Sequence, residues 1–174
     1  MNGVILYQSK YGATRTYAKW LSEATKFPML ETKSAKLGEL TQYDAILLGG
    51  GIYASGIAGL SFLKKHISQF NGKKVIVFCV GASPYDKAAL DAIISHNMKD
   101  ELRGIPCFYC RGAWDMNTMS AIDRNLCKLL QKAVAKKDPK EYEPWETALM
   151  AAGEDACDWT DKRYLTPVLE ELGK

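Results

Sequence analysis

Gly3-Val4-Ile5-Leu6-Tyr7-Gln8-Ser9-Lys10-Tyr11-Gly12-Ala13-Thr14 decides the fold. An apolar run of strand length passes into a short polar turn with one glycine, and helical spacing starts directly beyond it. A run of this kind, bounded by turn residues, suits a strand buried on both faces, as in a parallel sheet. Residues 45–48, 74–80 and 105–110 repeat the pattern, and Pro106 is tolerable because it stands near the start of its run. A weaker run at 29–32 predicts an edge strand. Helical spacing fills the gaps. Tyr17, Ala18 and Leu21 mark residues 14–26; Leu60, Leu63, Ile67 and Phe70 mark 60–70; Leu90, Ile93, Ile94 and Met98 mark 88–102; Ile122, Leu126, Leu129, Leu130 and Ala133 mark 120–135. A short turn near 36–40 links the second and third strands. Strands alternating with helices of this length predict βαβ units and an α/β fold.

The pattern stops at the polar break Lys136-Lys137-Asp138-Pro139-Lys140. Pro144 ahead of residues 145–152, with Gly153 behind, predicts a short helix, and Thr166-Pro167 ahead of 168–172, with Gly173 behind, predicts another. The expectation is a domain over 1–137 and an acidic helical extension over 138–174, belonging to no strand–helix unit. The chain has 174 residues, 47% hydrophobic and 25% charged. At roughly 150 residues per domain this suits one domain with an appendage, and it excludes a disordered or fibrous chain.

The net charge of +3 argues against a dedicated nucleic-acid binder. That average hides a split: residues 1–137 hold 19 basic and 10 acidic residues, a net of +9, and residues 138–174 hold 4 and 10, a net of −6. No stretch nears about 18 uninterrupted apolar residues, so no transmembrane segment is expected, and the start does not read as a secretory signal. The odd, scattered set Cys79, Cys107, Cys110, Cys127 and Cys157 reads as reduced thiols in a cytoplasmic protein. Cys107 and Cys110 fall on a predicted strand facing opposite sides, which suits small core residues better than a redox or metal pair. The two histidines, His66 and His96, fall on predicted helices, so histidine acid–base catalysis and a metal site are poorly supported.

In an open α/β sheet, ligands bind beyond the carboxyl ends of the strands. The first such loop, Ser9 to Thr14, opens a helix whose backbone N–H groups and dipole favour an anion. Ser9, Thr14 and Thr16 add hydroxyls, and Gly12 lets the backbone close around a phosphate. The same residues also describe an ordinary βα turn with Thr14 as helix cap, and the chemistry alone weighs the two readings equally.

Ser9-Lys10-Tyr11-Gly12-Ala13-Thr14 resembles the phosphate loop of the flavodoxins, [ST]-x-[TY]-G-x-T, and Tyr43 to Gly49 running into Gly51-Ile52-Tyr53-Ala54 resembles their third strand and flavin loop. The resemblance spans residues 3–135. It implies a three-layer sandwich, a five-stranded parallel sheet of order 2-1-3-4-5 with helices on both faces, followed here by the C-terminal helical tail. It also implies noncovalent FMN. Ser9, Lys10, Tyr11, Gly12, Ala13 and Thr14 would wrap the phosphate. Gly51, Ile52, Tyr53, Ala54 and Ser55 would run beside the isoalloxazine ring, and Gly81, Ala82, Ser83 and Tyr85 would line its other side. Tyr53, Tyr85 and Trp114 are the stacking candidates. The Thr-Trp pair common in the second flavodoxin loop is missing, which leaves the stacking residue open. Within the superfamily, Leu6 to Thr14 together with Gly49 to Gly56 looks most similar to the branch that includes the menaquinone-dependent protoporphyrinogen dehydrogenases.

Gly49-Gly50-Gly51-Ile52-Tyr53-Ala54 formally fits a dinucleotide fingerprint, yet it follows the third strand and meets Lys73 and Lys74 where an acidic ribose partner belongs. Flavodoxin carriers are acidic, whereas here residues 49–57 and 81–85 hold no carboxylate. Less repulsion on a reduced, anionic flavin predicts a milder potential than a low-potential carrier has. The leading expectation is an FMN-dependent oxidoreductase acting with a redox partner protein, a quinone or a small anionic substrate. The alternatives are a non-enzymatic electron carrier and an FMN-binding interaction or regulatory module. Two roles stand for the acidic tail: a lid over the flavin mouth anchored by Trp145 or Trp159, or an element of self-association into a homodimer.

Overall fold

A computed structural model of the chain describes residues 1–173. Five strands form the main sheet: β1 (Gly3–Gln8), β2 (Met29–Glu31), β3 (Ala45–Tyr53), β5 (Lys74–Gly81) and β6 (Cys107–Arg111). Their order is β2-β1-β3-β5-β6, every neighbouring pair parallel. The weak run at 29–32 is thus an edge strand, as its composition predicts. Register sets Leu6 beside Leu48 and Leu48 beside Val77. Alternation along each strand then divides the core in two. Ile5, Leu47, Ile76 and Phe78 face one side, and Val4, Leu6, Ile46, Leu48 and Val77 face the other. Each fully buried Leu or Ile contributes about 1.5–3 kcal/mol of apolar transfer, so these two layers hold the sheet.

Helix α1 (Ala13–Thr25) buries Thr14, Tyr17, Ala18, Leu21 and Thr25 and stops at Lys26, whose left-handed backbone (φ 65°) returns its N–H to Ser22 O. The opposite face is covered by α2 (Leu37–Leu40), α3 (Leu60–His66) and α4 (Lys87–Asn97). The predicted helices 60–70 and 88–102 are shorter than their periodicity: both finish in 3-10 turns, Ile67–Phe70 and Asp100–Leu102. Strand β3 is longer than predicted and runs through the glycine triplet. A Cβ on Gly49 would lie 2.1 Å from the Phe78 ring, and one on Gly50 would lie 2.0 Å from the Ala58 carbonyl. These glycines are close-packing positions inside a strand, which removes the dinucleotide-fingerprint reading.

The largest departure concerns the last helices. Helix α5 (Ala121–Val134) has the predicted extent, but its apolar row does not cover the sheet. That place belongs to α7 (Thr166–Leu172) and the 3-10 turn ahead of it, which sink Leu165, Val168 and Leu172 into the cluster of Tyr17, Leu21 and Ile76. The stretch beyond the polar break therefore does not stand outside the strand–helix unit at its far end; it completes one face of the sheet. Between these helices lie α6 (Pro144–Ala152) and the two-residue ladder of β7 (Ala113–Trp114) with β8 (Cys157–Asp158), which stitches the tail to the chain just past β6. The remaining short strand, β4 (Gly56–Ile57), folds back antiparallel on the end of β3. Among the described residues no helix is long and apolar enough to cross a membrane.

Candidate functional site

The loops after β1, β3 and β5 meet at the carboxyl edge of the sheet. Gly12 takes φ 98°, a conformation open to glycine, and its N–H donates to Ser9 Oγ at 3.1 Å. The first intrahelical bond of α1 runs from Thr16 N–H to Gly12 O at 2.9 Å. Among the described residues, the N–H groups of Ala13, Thr14 and Arg15 meet no protein acceptor, and the first turn holds no acidic side chain. Three aligned donors at the positive end of a 13-residue helix make an anion cradle. Thr14 is buried beneath it. Gly112, past β6, closes on the start of α1: a Cβ there would lie 3.4 Å from Ala13 Cβ.

Lys10 and Tyr11 are not aimed at that cradle. Both engage the Asp123 carboxylate in the first turn of α5, and Ser120 N–H donates to the Tyr11 hydroxyl at 3.3 Å. The hydrogen bond from Lys10, followed by that from Tyr11, holds Asp123 below the usual carboxylate range, and the same contact raises Lys10. The Lys10 ammonium also lies 5.5 Å from the Tyr11 ring centre and 5.8 Å from that of Tyr53, and the two rings meet edge-on at 6.4 Å. A cation and two phenol rings thus bridge the first loop to the second. Burial is the main cause raising the Tyr53 phenol.

The second loop is a hairpin. Ile52 and Tyr53 pair with Ile57 and Gly56 across a two-residue turn, Ala54-Ser55, with φ of 45° and 66°. Two consecutive non-glycine residues in the left-handed region match a type I′ turn and store strain of order 1 kcal/mol each. Asn97, from the end of α4, clamps the hairpin: its Nδ2 donates to Ser55 O at 2.6 Å and its Oδ1 accepts from Ile57 N–H at 3.1 Å. The Tyr53 ring lies over Gly51, where a Cβ would come within 2.7 Å of it.

In the third loop Tyr109, on β6, donates its hydroxyl to Gly81 O at 2.9 Å and reaches Ser83 O. Burial raises its phenol well above the ordinary value. Arg111 Nε donates to Ala82 O at 3.2 Å. Tyr85 is 56% exposed, with its ring centre 6.2 Å from that of Tyr109. Tyr11, Tyr53 and Tyr85 are the three exposed tyrosines of the chain. Trp114 does not join them; its indole N–H donates to Gly153 O at 3.2 Å and its strand pairs with the tail. The tail reaches the site through Trp159: its backbone N–H donates to Gly112 O at 3.1 Å, and the Arg111 guanidinium lies 4.2 Å from its ring. Trp145 is exposed on α6.

The sequence points to the loops 9–14, 51–55 and 81–85 and to Trp159 as a tail anchor, whereas the braces Asn97, Tyr109, Arg111 and Asp123 emerge only from the structure. A single Asn at a predicted helix end or an Arg at a strand end carries no signal without the tertiary contact. Cys107 and Cys110 do face opposite layers of the sheet, Cys107 with Val77 and Cys79, Cys110 with Phe78. All five cysteines are free thiols, and no cluster of three or more metal-ligating side chains occurs among the described residues.

A family model described as Flavodoxin domain matches residues 4–142. No curated protein matches the chain in sequence. Solved structures do match. A flavodoxin from the domain Archaea is 16% identical, covering 78% of this chain and 97% of that one, with a TM-score of 0.40. A WrbA-like flavodoxin from Agrobacterium tumefaciens is 20% identical over 78% of this chain and 95% of that one, at 0.46. A flavoprotein in complex with FMN from Lactobacillus acidophilus is 17% identical over 63% and 91%, at 0.44. With a flavodoxin model matched over most of its length and the sheet order β2-β1-β3-β5-β6, this chain belongs to the flavodoxin domain family.

Proposed function

We propose that the chain is an FMN-dependent oxidoreductase. The observation that carries the reading is the row of unpartnered N–H groups on Ala13, Thr14 and Arg15 beside Ser9 and Gly12, flanked by the exposed rings of Tyr53 and Tyr85. These residues fit FMN: a phosphate suits the helix terminus, and a planar ring suits a cleft edged by phenols and bare backbone. FMN when bound supplies one- and two-electron transfer at its ring. The protein's part is positional and electrostatic. Ser9 and the first turn of α1 would hold the phosphate, leaving the ring to the second and third loops. Tyr53 and Tyr85 would stack on that ring, each adding about 0.5–1.5 kcal/mol. The backbone of Gly51–Ser55 and of Gly81–Ser83 would meet its polar edges. Asn97, Tyr109 and Arg111 hold both loops in place before a ligand arrives.

Lys10, 5.8 Å from the Tyr53 ring centre, is paired with Asp123, and neither ring loop contains a carboxylate of its own. Without carboxylates in those two loops, a reduced, anionic flavin would meet less repulsion than in an acidic carrier, which supports an enzyme that discharges electrons into a quinone or another organic acceptor over a low-potential protein shuttle. The resemblance of the first and second loops to the menaquinone-dependent protoporphyrinogen dehydrogenases supports a quinone acceptor. Five free thiols support a reducing, cytoplasmic setting. The purified protein tests the reading through its absorption spectrum. A yellow protein, or apoprotein that regains flavin bands with FMN, is expected, and after reduction by dithionite its bleached bands should return when a soluble quinone is added and takes up the two electrons. A colourless protein that takes up no FMN would overturn the reading, and rapid exchange with ferredoxin-type partners without reoxidation by quinone would replace it with the carrier.

A further inference from the structure

Helix α5 is mounted with its polar side inward. Arg124 donates to the carbonyls of Met116, Asn117 and Met119, and Gln131 Nε2 donates to Gly153 O. Ile122, Leu126, Leu129 and Leu130 point away from the body and are 74%, 60%, 63% and 43% exposed. Their spacing of four, three and one places them on a single stripe of about 100°. Monomeric proteins seldom leave such a contiguous apolar patch bare unless something binds it. The rim of the stripe is basic. Lys132 and Lys136 carry no ion pair among the described residues, whereas Lys128 pairs with Glu154 and Lys137 with Glu146. The only carboxylate of the helix, Asp123, is occupied by Lys10 and Tyr11.

We propose that α5 docks on an anionic lipid surface, its aliphatic stripe entering the interfacial layer and Lys132 and Lys136 meeting the headgroups. An amphipathic helix with a wide apolar stripe and a lysine rim has the chemistry of an in-plane membrane helix. The alternatives fit less well. The tail cannot fold over the stripe, because Leu165, Val168 and Leu172 are already committed to the core. A second copy would lay one lysine-rimmed stripe on another, and Asp123, the only carboxylate of the helix, is already held by Lys10 and Tyr11. Docking at α5 also keeps its first turn, and through Asp123 the loop of Lys10 and Tyr11, beside the bilayer. The proposal does not depend on which cofactor the site holds.

The test is sedimentation of the full chain with vesicles of phosphatidylcholine alone and of phosphatidylcholine with phosphatidylglycerol. Binding is expected only to the second, weakening with salt, since each lysine near an anionic surface contributes roughly five-fold in affinity. Leu126→Gln with Leu129→Gln should abolish sedimentation, and Lys132→Glu with Lys136→Glu should weaken it roughly tenfold or more. The altered side chains face solvent, and circular dichroism verifies that each variant is folded. Failure of the wild-type chain to sediment with anionic vesicles would overturn the proposal. So would a concentration-dependent dimer in analytical ultracentrifugation that the leucine variants dissociate, which would make a second copy the occupant.

Discussion

The guanidinium of Arg111 lies 4.2 Å from the Trp159 ring while its Nε donates to Ala82 O at 3.2 Å. One side chain at the end of the last main strand therefore ties the third site loop to the tail. A cation over an indole contributes about 0.5–2 kcal/mol. Trp159→Ala should lower global stability by at least that amount, read from chemical denaturation. Arg111→Met removes the donor to Ala82 as well, and FMN affinity should fall several-fold with far-ultraviolet circular dichroism unchanged. FMN titration with equal affinity in wild type and Arg111→Met would show that the third loop needs no brace.

The Ala54-Ser55 turn separates local strain from tertiary support. Ser55 at φ 66° disfavours any side chain, so Ser55→Gly should raise stability by up to about 1 kcal/mol. Asn97→Ala leaves Ser55 O and Ile57 N–H without their partner and should cost about 1–3 kcal/mol. Urea denaturation checks both signs; a destabilised Ser55→Gly would mean that the hydroxyl, and not the backbone, matters there.

Two helices of similar amphipathic pattern carry opposite loads. Leu172→Ala, at a buried position in α7, should cost about 2–5 kcal/mol. Leu126→Ala, on the exposed stripe of α5, should change stability by less than about 0.5 kcal/mol. Removing residues 138–174 strips Leu165, Val168 and Leu172 from the sheet and should abolish cooperative unfolding. A truncated protein that still melts cooperatively would assign the core to the first 137 residues alone.

That contrast also marks where the sequence stops being readable. Strand order and the Ser9–Thr14 loop follow from apolar runs, turn residues and a resemblance, all local signals. Periodicity reports that Ile122, Leu126 and Leu129 share a face, as Leu165, Val168 and Leu172 do. It cannot report which face meets the sheet, because both patterns satisfy the same rule. The glycine triplet misleads in a similar way: Gly49 and Gly50 look like a loop, and only Phe78 and Ala58, distant in the chain or folded back upon it, make them a strand. Asn97, Arg111 and Asp123 act on the site across long sequence separations, and their residue types are ordinary for helix ends and strand ends.

The tail carries its own acid sensitivity. Glu146, on α6, has a side chain only 2% exposed. Its carboxylate accepts from the Lys137 ammonium and from Glu143 N–H at 2.9 Å. The Lys137 hydrogen bond first, and the Glu143 backbone second, hold its pKa below the ordinary value of 4.5. A depressed folded-state pKa means that the contribution is fully present above the unfolded value and is lost as pH falls through the folded one. Lowering pH from 7 towards 3 should therefore loosen α6 before the sheet. Hydrogen exchange, corrected for its intrinsic pH dependence, should show α6 amides losing protection over that interval while β3 and β5 keep theirs. In Glu146→Gln the amides of α6 should exchange faster at pH 7 and change little on acidification. Wild-type α6 protection that stays level down to pH 3 would mean that the Lys137–Glu146 contact does not hold the helix in place.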